Sequence, residues 1–163
     1  MTTRTKSLNL LIIQQSPAWG GAEEWMANLT NQLASFPQVK ISFYTNHPQL
    51  RQSVASQQTR VGELPYSLDI IGNYKGLIKT IFYFFPTFLF YFHLLYRQKK
   101  LGTNLILMSG FSEKMLVTWI AKFFSIPVVW YEYGPLNSVF SKNLYLPQLI
   151  YKLTHPLAKK IIP

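Results

Sequence analysis

The sequence predicts a doubly wound α/β domain, a largely parallel sheet with helices on both faces. Three observations carry that expectation: apolar runs of strand length recur, helical spacings fall between them, and the two alternate in a β-α-β-α-β rhythm. Leu8 to Ile13 is the first run, broken only by Asn9. A Gly-Gly turn follows, and from there Ala22, Trp25, Met26, Leu29, Leu33 and Phe36 keep the spacing of one helix face. Val39 to Thr45 reads as the second strand, ended by Asn46-His47-Pro48. Residues 48–73 are polar and turn-rich, with weak strand signals near Thr59 to Leu64 and Leu68 to Ile71, and no chemistry is expected there. Residues 74–100 read as one long helix that Pro86 should kink or divide. Asn104 to Met108 then reads as a strand, Glu113 to Phe124 as a helix and Pro127 to Tyr131 as a strand. Sites in such sheets lie at the carboxyl ends of strands, so loops 14–21, 109–112 and 132–138 are the candidates.

A chain of 163 residues suits one ordinary domain, here expected over 1–163. Its 48% hydrophobic and 13% charged content excludes a disordered chain and leans toward a protein that touches something apolar. Cysteine is absent, which removes disulfides, thiolate nucleophiles and thiolate zinc sites. The apolar run behind Arg4 and Lys6 is too short for a signal peptide, so a cytoplasmic location is expected. The net charge of +10 is uneven: residues 1–69 hold five Lys/Arg and four Asp/Glu, whereas residues 70–163 hold eleven and two. The basic half is also the aromatic half, which suits an anionic membrane surface or nucleic acid.

From Thr80 to Tyr96 run seventeen residues without a charge, nine of them aromatic. As a helix this stretch spans roughly 25 Å, at the lower edge of what crosses a bilayer. A crossing would separate the strands before it from those after it, and its flanks (Lys75 and Lys79; Arg97, Lys99 and Lys100) are basic on both sides. Three alternatives stand: a span, a buried core helix, and an interfacial helix whose Phe and Tyr beside Lys and Arg make an in-plane membrane contact. The interfacial reading names Lys79, Phe84, Phe85, Phe88, Tyr91, Phe92, Arg97, Lys99 and Lys100 as contacts. Aromatics gathered in one apolar run, not interleaved with polar base-reaching residues, favour a membrane over nucleic acid.

The acids are Glu23, Glu24, Glu63, Asp69, Glu113 and Glu132. Glu23 and Glu24 stand in a first helical turn, where a carboxylate favours the macrodipole. Glu132, after the strand ending at Tyr131 and before Tyr133-Gly134-Pro135, is the best-placed acid for catalysis, with pairing to a nearby lysine as its alternative. His47, His93 and His155 have no metal-ligand spacing, and no metal site is expected. No nucleophile elbow, Walker loop or G-x-G-x-x-G fingerprint is present. Gly20 and Gly21, between strand and helix, let backbone approach a ligand where helical N–H groups attract an anion; their alternative is a simple turn.

Read together, Pro17-Ala18-Trp19-Gly20-Gly21-Ala22-Glu23-Glu24-Trp25, the passage SIPVVWYEYGPL and the final LAKKIIP resemble the amino-terminal domain of a family 4 glycosyltransferase. The resemblance covers nearly the whole chain and implies a Rossmann-like half of a GT-B fold. It implies an acceptor-side domain of a retaining enzyme that moves a sugar from a nucleotide-sugar co-substrate to a lipid-linked or saccharide acceptor. No metal or other cofactor is implied. Gly20, Gly21, Glu23 and Gly134 would bind substrate, the glycines offering N–H groups to the donor's phosphates. Glu132 and Tyr133 fall in the family's Glu-His-Gly loop, Tyr133 at the histidine; a tyrosine can hydrogen-bond a sugar but is a poor proton acceptor at neutral pH. The implied partners are an anionic membrane at the inner face of the cell membrane, which the aromatic helix would press on, and a separate donor-binding domain or subunit, without which the chain is expected to be inactive. Nucleic acid is not expected. The alternative is a non-catalytic peripheral membrane protein that keeps the fold.

Overall fold

The computed structural model describes residues 7–16, 18–54, 58–65, 68, 74–133, 136, 140 and 145–163. Among them six strands form one sheet: β1 (Leu8–Gln14), β2 (Val39–Thr45), β3 (Thr59–Glu63), β4 (Leu105–Met108), β5 (Val128–Tyr131) and β6 (Lys160–Ile162). The order is β3-β2-β1-β4-β5-β6 and each pairing is parallel. The helices are α1 (Gly21–Ala34), α2 (Pro48–Ser53), α3 (Tyr74–Lys100), α4 (Phe111–Phe123) and α5 (Leu146–Thr154).

Strand alternation divides the core in two. Leu10 and Ile12 of β1 face a cluster with Met26 and Ala27 of α1 and Leu50 of α2. Leu11 and Ile13 face the opposite cluster, with Tyr91 and Leu95 of α3 and Met115 and Ile120 of α4. A strand apolar on both faces belongs in the middle of a covered parallel sheet, and β1 lies there. The chain winds outward from β1 to β3 under α1 and α2, then α3 carries it back to β4 across the other face. That reversal puts the topological switch point between β1 and β4, where a crevice opens at the carboxyl edge.

The doubly wound parallel sheet is as expected. β2 matches its predicted bounds, β1 reaches one residue further to Gln14, and the weak signal at Thr59 is a true strand. Two helices lie outside the elements that the sequence predicts, and each has a proline in its first turn, where its missing N–H costs nothing; at Pro48 that proline reads in sequence as the end of β2. Pro48 opens α2, whose Leu50 N–H donates to His47 Nδ1 at 3.4 Å, and Pro147 lies in the first turn of α5. Of the Leu68 to Ile71 signal, Leu68 is buried and residues 69–71 lie outside the described residues.

α3 runs through Pro86 undivided. Proline frees the carbonyl four residues back, here that of Phe82, in a stretch open to water. One flank of α3 is core: Thr87, Tyr91, Leu94, Leu95 and Gln98 are buried. The other is bare, with Ile81 68%, Phe82 77% and Phe85 67% exposed, which overturns the buried-core alternative. Ile78–Lys100 is long and apolar enough to span a bilayer, at mean hydropathy 1.4, but strands from before and after it share one sheet. Of the expected membrane contacts, Lys79, Phe84, Phe85, Phe92, Arg97, Lys99 and Lys100 are exposed. Phe88 is half-buried in a column of rings, 6.4 Å from Phe84 and 6.1 Å from Phe92. Tyr91 is a correction: it is wholly buried, its hydroxyl accepting from Gln15 Nε2 at 3.2 Å, because it falls on the stripe that faces β1 and β4.

Candidate functional site

The switch-point crevice is built from two copies of one local pattern. β1 ends at Gln14 and α1 begins behind Gly20 as N-cap; β4 ends at Met108 and α4 begins behind Gly110 as N-cap. In each helix a glutamate stands three residues after the glycine: Glu23 and Glu113. This is the N3 position, from which a carboxylate reaches back toward the open N–H groups of the first turn.

Glu113 is the group the sequence reading passed over, though its Gly-x-x-Glu spacing repeats that of Glu23. It is 1% exposed, and its Oε1 accepts from the backbone N–H of Gln15 at 3.1 Å, tying the loop after β1 to the start of α4. Burial pushes its pKa up to about 7, against the pull of surrounding backbone N–H groups and of Lys114. The loop after β1 has two further ties: Ser16 N–H donates to Asn46 Oδ1 at 2.8 Å, and Gln15 Nε2 to Tyr91. A Cβ on Gly110 would collide with the Glu113 carboxylate. Gly110→Ala should therefore displace that carboxylate from Gln15 and lower stability by about 1 to 3 kcal/mol, read from the urea midpoint. An unchanged midpoint would show that the tie contributes nothing.

Gly20 is extended, and a Cβ on Gly21 would meet nothing within 4 Å, so Gly21 borders open space. The anion-attracting start of α1 already has a carboxylate beside it. Glu23 Oε1 lies 2.7 Å from Ser16 Oγ and 3.5 Å from Gln14 Nε2, and its Oε2 is 3.4 Å from where a Gly20 Cβ would be. Between the two helix starts Gln14 Oε1 is buried without a hydrogen-bond partner, and Ser109 Oγ is buried within reach of the Tyr133 hydroxyl. They stand side by side at the ends of β1 and β4, since Ile13 pairs with Met108. Buried polar atoms are costly to leave unpaired, and such a pair at a switch point is where a ligand's hydroxyl groups fit.

An aromatic wall closes one side. Trp25 stacks on Tyr131 at 4.2 Å, and Tyr133 meets both edge-on, at 5.9 and 4.8 Å. The Tyr133 hydroxyl donates to Ala22 O at 3.1 Å, and partial burial raises its pKa above the usual phenol value. With 42% of the residue still exposed, the ring can meet a ligand, but its hydroxyl is a donor, not a proton acceptor, at neutral pH. Glu132 takes the alternative weighed for it. It forms an ion pair with Lys114, at 3.1 Å, and Lys114 Nζ also donates to Tyr131 O at 2.6 Å. Lys114 is 1% exposed; burial lowers its pKa and Glu132 raises it back. Glu132 is thus drawn below the sheet edge, 13% exposed, while Tyr133 fronts the crevice. Gly134 and Pro17 lie outside the described residues. Among the described residues no group of His, Cys, Asp or Glu could hold a metal ion.

No family model matches the chain, and no curated protein matches it in sequence. Solved structures do match in fold. A UDP-N-acetylglucosamine 2-epimerase superposes with a TM-score of 0.61 at 15% identity, covering 96% of this chain and 41% of that one. MurG of Acinetobacter baumannii gives 0.58 at 11%, covering 94% and 40%. HepE of Anabaena, solved in complex with UDP, gives 0.59 at 13%, covering 94% and 37%. The chain spans about two fifths of the length of each. At these identities the likeness shows the fold: a Rossmann-like α/β domain that corresponds to one part of larger proteins.

Proposed function

We propose that this chain is the acceptor-side domain of a retaining glycosyltransferase of the family 4 kind, receiving a lipid-linked or saccharide acceptor at its carboxyl edge and working against a separate donor-binding domain. The observation that carries the reading is the carboxyl edge at the switch point, where the unpaired Gln14 Oε1 and the buried Ser109 hydroxyl lie between two glycine-capped helix starts with an aromatic wall beside them. The fold shared with MurG, an epimerase named for UDP-N-acetylglucosamine and a HepE that holds UDP supports nucleotide-sugar chemistry. In this reading Gln14 and Ser109 take acceptor hydroxyls, and the Trp25 and Tyr133 rings lie against the sugar. Gly20 and Gly21 offer N–H groups to the donor's diphosphate as the leaving group gains charge, once Glu23 swings from the start of α1. Gly134, next after Tyr133 in the sequence, is assigned to substrate in the same reading. The nucleotide sugar is a co-substrate, and the reading needs no metal and no nucleic acid.

The test combines the folded chain with a donor-binding domain supplied in trans and follows labelled sugar from nucleotide to acceptor. Transfer should require both parts. Replacing both Gln14 and Ser109 with alanine should cut kcat/KM by about tenfold or more, the loss of one or two buried hydrogen bonds. A folded pair that transfers nothing from any nucleotide sugar would overturn the reading.

The reading places the chain peripherally on the cytoplasmic face of the membrane, with the bare flank of α3 against anionic lipid. Phe84 and Phe85 are exposed beside Lys79, and the last turn of α3 carries Arg97, Lys99 and Lys100. Replacing both phenylalanines with serine should weaken sedimentation with phosphatidylglycerol vesicles by about tenfold or more, since burying each ring in the interface contributes about 1.5 to 3 kcal/mol. Stability should hardly change, because neither ring is in the core. Equal sedimentation of variant and parent would remove α3 from the contact.

A second reading, a non-catalytic membrane-surface protein with the same fold, is favoured by one observation: Glu132 is neutralised by Lys114 and the Tyr133 hydroxyl is engaged with Ala22. It requires salt-sensitive vesicle binding that no nucleotide sugar changes, and no transfer with any donor domain.

A further inference from the structure

The described carboxylates of this domain gather at one end of the sheet, where Arg51 and Lys114 pair with two of them. Glu23 and Glu24 open α1, Glu63 ends β3, Glu113 opens α4 and Glu132 follows β5, so every described carboxylate is at the carboxyl edge. At the amino edge stand Lys40 and Arg60, each second in its strand, with Arg97, Lys99 and Lys100 in the last turn of α3. Lysines and arginines in last helical turns answer the macrodipole and need no ligand. Lys40 and Arg60 are on strands, where that explanation fails. The described ion pairs, Arg51 with Glu63 and Lys114 with Glu132, involve neither.

These two residues line a cleft of about 460 Å³ with Asn9, Ser42, Gln98 and Leu101. The register explains the grouping. Asn9 pairs with Lys40 and Ser42 with Arg60, so all four point to the face that α3 covers. Lys40 and Arg60 are exposed and Ser42 is half-buried, so the starts of β2 and β3 are open on that face beside Gln98 and Leu101 of the helix end. Two buried features of the wall are polar: Gln98 accepts from Thr103 Oγ1 at 2.8 Å, and Asn9 Oδ1 is buried without a partner while its Nδ2 donates to Gly102 O at 3.0 Å. The cleft thus offers two cations, a vacant buried acceptor and no carboxylate among the described residues.

We propose that this amino-edge cleft is a second ligand site that takes a phosphorylated polyol, with Lys40 and Arg60 on the phosphate and Asn9 accepting from a hydroxyl. An arginine suits the phosphate as a fork of donors and a lysine as a point charge. A phospholipid headgroup and a free sugar phosphate share this chemistry. The site stands apart from the switch-point crevice by the length of the strands, and its existence does not depend on the glycosyltransferase reading.

The test is titration of the whole chain with glycerol 1-phosphate, followed by amide chemical shifts and calorimetry, and sedimentation with phosphatidylglycerol vesicles. The expected result is saturable binding that moves the amides of Asn9, Lys40, Ser42 and Arg60. Lys40→Gln with Arg60→Gln should weaken it by about tenfold or more, whereas Lys122→Gln with Lys152→Gln, at exposed positions away from the cleft, should leave it within about twofold. If glycerol 1-phosphate also displaces the chain from vesicles and the Lys40/Arg60 variant sediments less, the source is a lipid headgroup. If it binds but vesicle sedimentation is indifferent to that variant, the source is a free phosphate ester. No saturable binding, shifts confined to other residues, or equal loss in both variants would overturn the proposal. The shift map uses the unaltered chain, so a variant that failed to fold would leave the answer intact.

Discussion

Replacing Glu132 with alanine should lower stability by about 3 kcal/mol or more at pH 7, a large share of what holds a domain of this size together. The reason is Lys114. Its ammonium is 1% exposed and meets the Tyr131 carbonyl and the Glu132 carboxylate, with the Trp130 ring and the Glu113 carboxyl further off. Without Glu132 that buried ammonium loses its paired carboxylate, the strongest of the charges that offset its burial. Burial already lowers the Lys114 pKa from its ordinary value, and loss of Glu132 lowers it further. A lysine whose folded pKa is depressed binds fewer protons folded than unfolded, so stability rises with pH through that window. The deficit of Glu132→Ala should therefore shrink between pH 7 and pH 10, as the amine sheds its proton and no longer needs a partner. Urea midpoints across that range measure it. Replacing the pair together, Lys114→Met with Glu132→Leu, should restore most of the loss, because apolar residues of similar volume remove both desolvation costs. An unchanged midpoint for Glu132→Ala would show the ion pair to be energetically idle and would return Glu132 to the list of free carboxylates at the sheet edge. Because the variant unfolds more easily, any effect of Glu132 on sugar transfer has to be measured where it is still folded.

Most of the architecture was legible in the sequence because its signals are local. Leu8 to Ile13, Val39 to Thr45 and Val128 to Tyr131 are apolar runs bounded by turns, and their alternation with helical spacing leaves few topologies open. What failed was proline: at positions 48 and 147 it opens helices, and at 86 it sits inside one without dividing it. Its local meaning depends on which carbonyl it strips and whether water can reach that carbonyl, which is a property of the packed molecule.

The site was legible in place and not in detail. The described parts of loops 14–21, 109–112 and 132–138 lie at the carboxyl edge, since strand ends of a parallel sheet must. The roles of the acids depended on contacts between elements, across 18 residues for Glu132 with Lys114 and 98 for Glu113 with Gln15. Glu132 stands beside Lys114 only because β5 lies next to the start of α4, and Glu113 meets Gln15 only because β1 and β4 are neighbours. Tyr91 was misplaced for the same reason. Its aromatic neighbours set the character of the stretch, but one stripe of any helix packed on a sheet is inside.

Glu113→Gln should remove the pH dependence that Glu113 gives to this fold. Burial holds the Glu113 pKa at about 7, above its ordinary 4.5. Between those values the folded chain keeps a proton that the unfolded chain has released. Its contribution is full below about pH 4.5 and is lost as pH rises through 7. Glutamine matches the protonated acid in shape, keeps an oxygen for the Gln15 N–H and never ionises. The variant should equal the parent at pH 4.5, and at pH 8.5 it should be more stable by on the order of 2 to 3 kcal/mol. Urea midpoints at the two pH values give the comparison, and parallel curves for parent and variant would mean that Glu113 is not the group that titrates. The same substitution bears on function. Ionised, Glu113 holds the loop after β1 by a charge-assisted bond to the Gln15 N–H. Glutamine keeps that bond without the charge, so acceptor binding in the Glu113→Gln variant separates the two roles: a loss of binding in a stable variant would show that the carboxylate acts at the sheet edge, and unchanged binding would leave Glu113 as a tie between the β1 loop and α4.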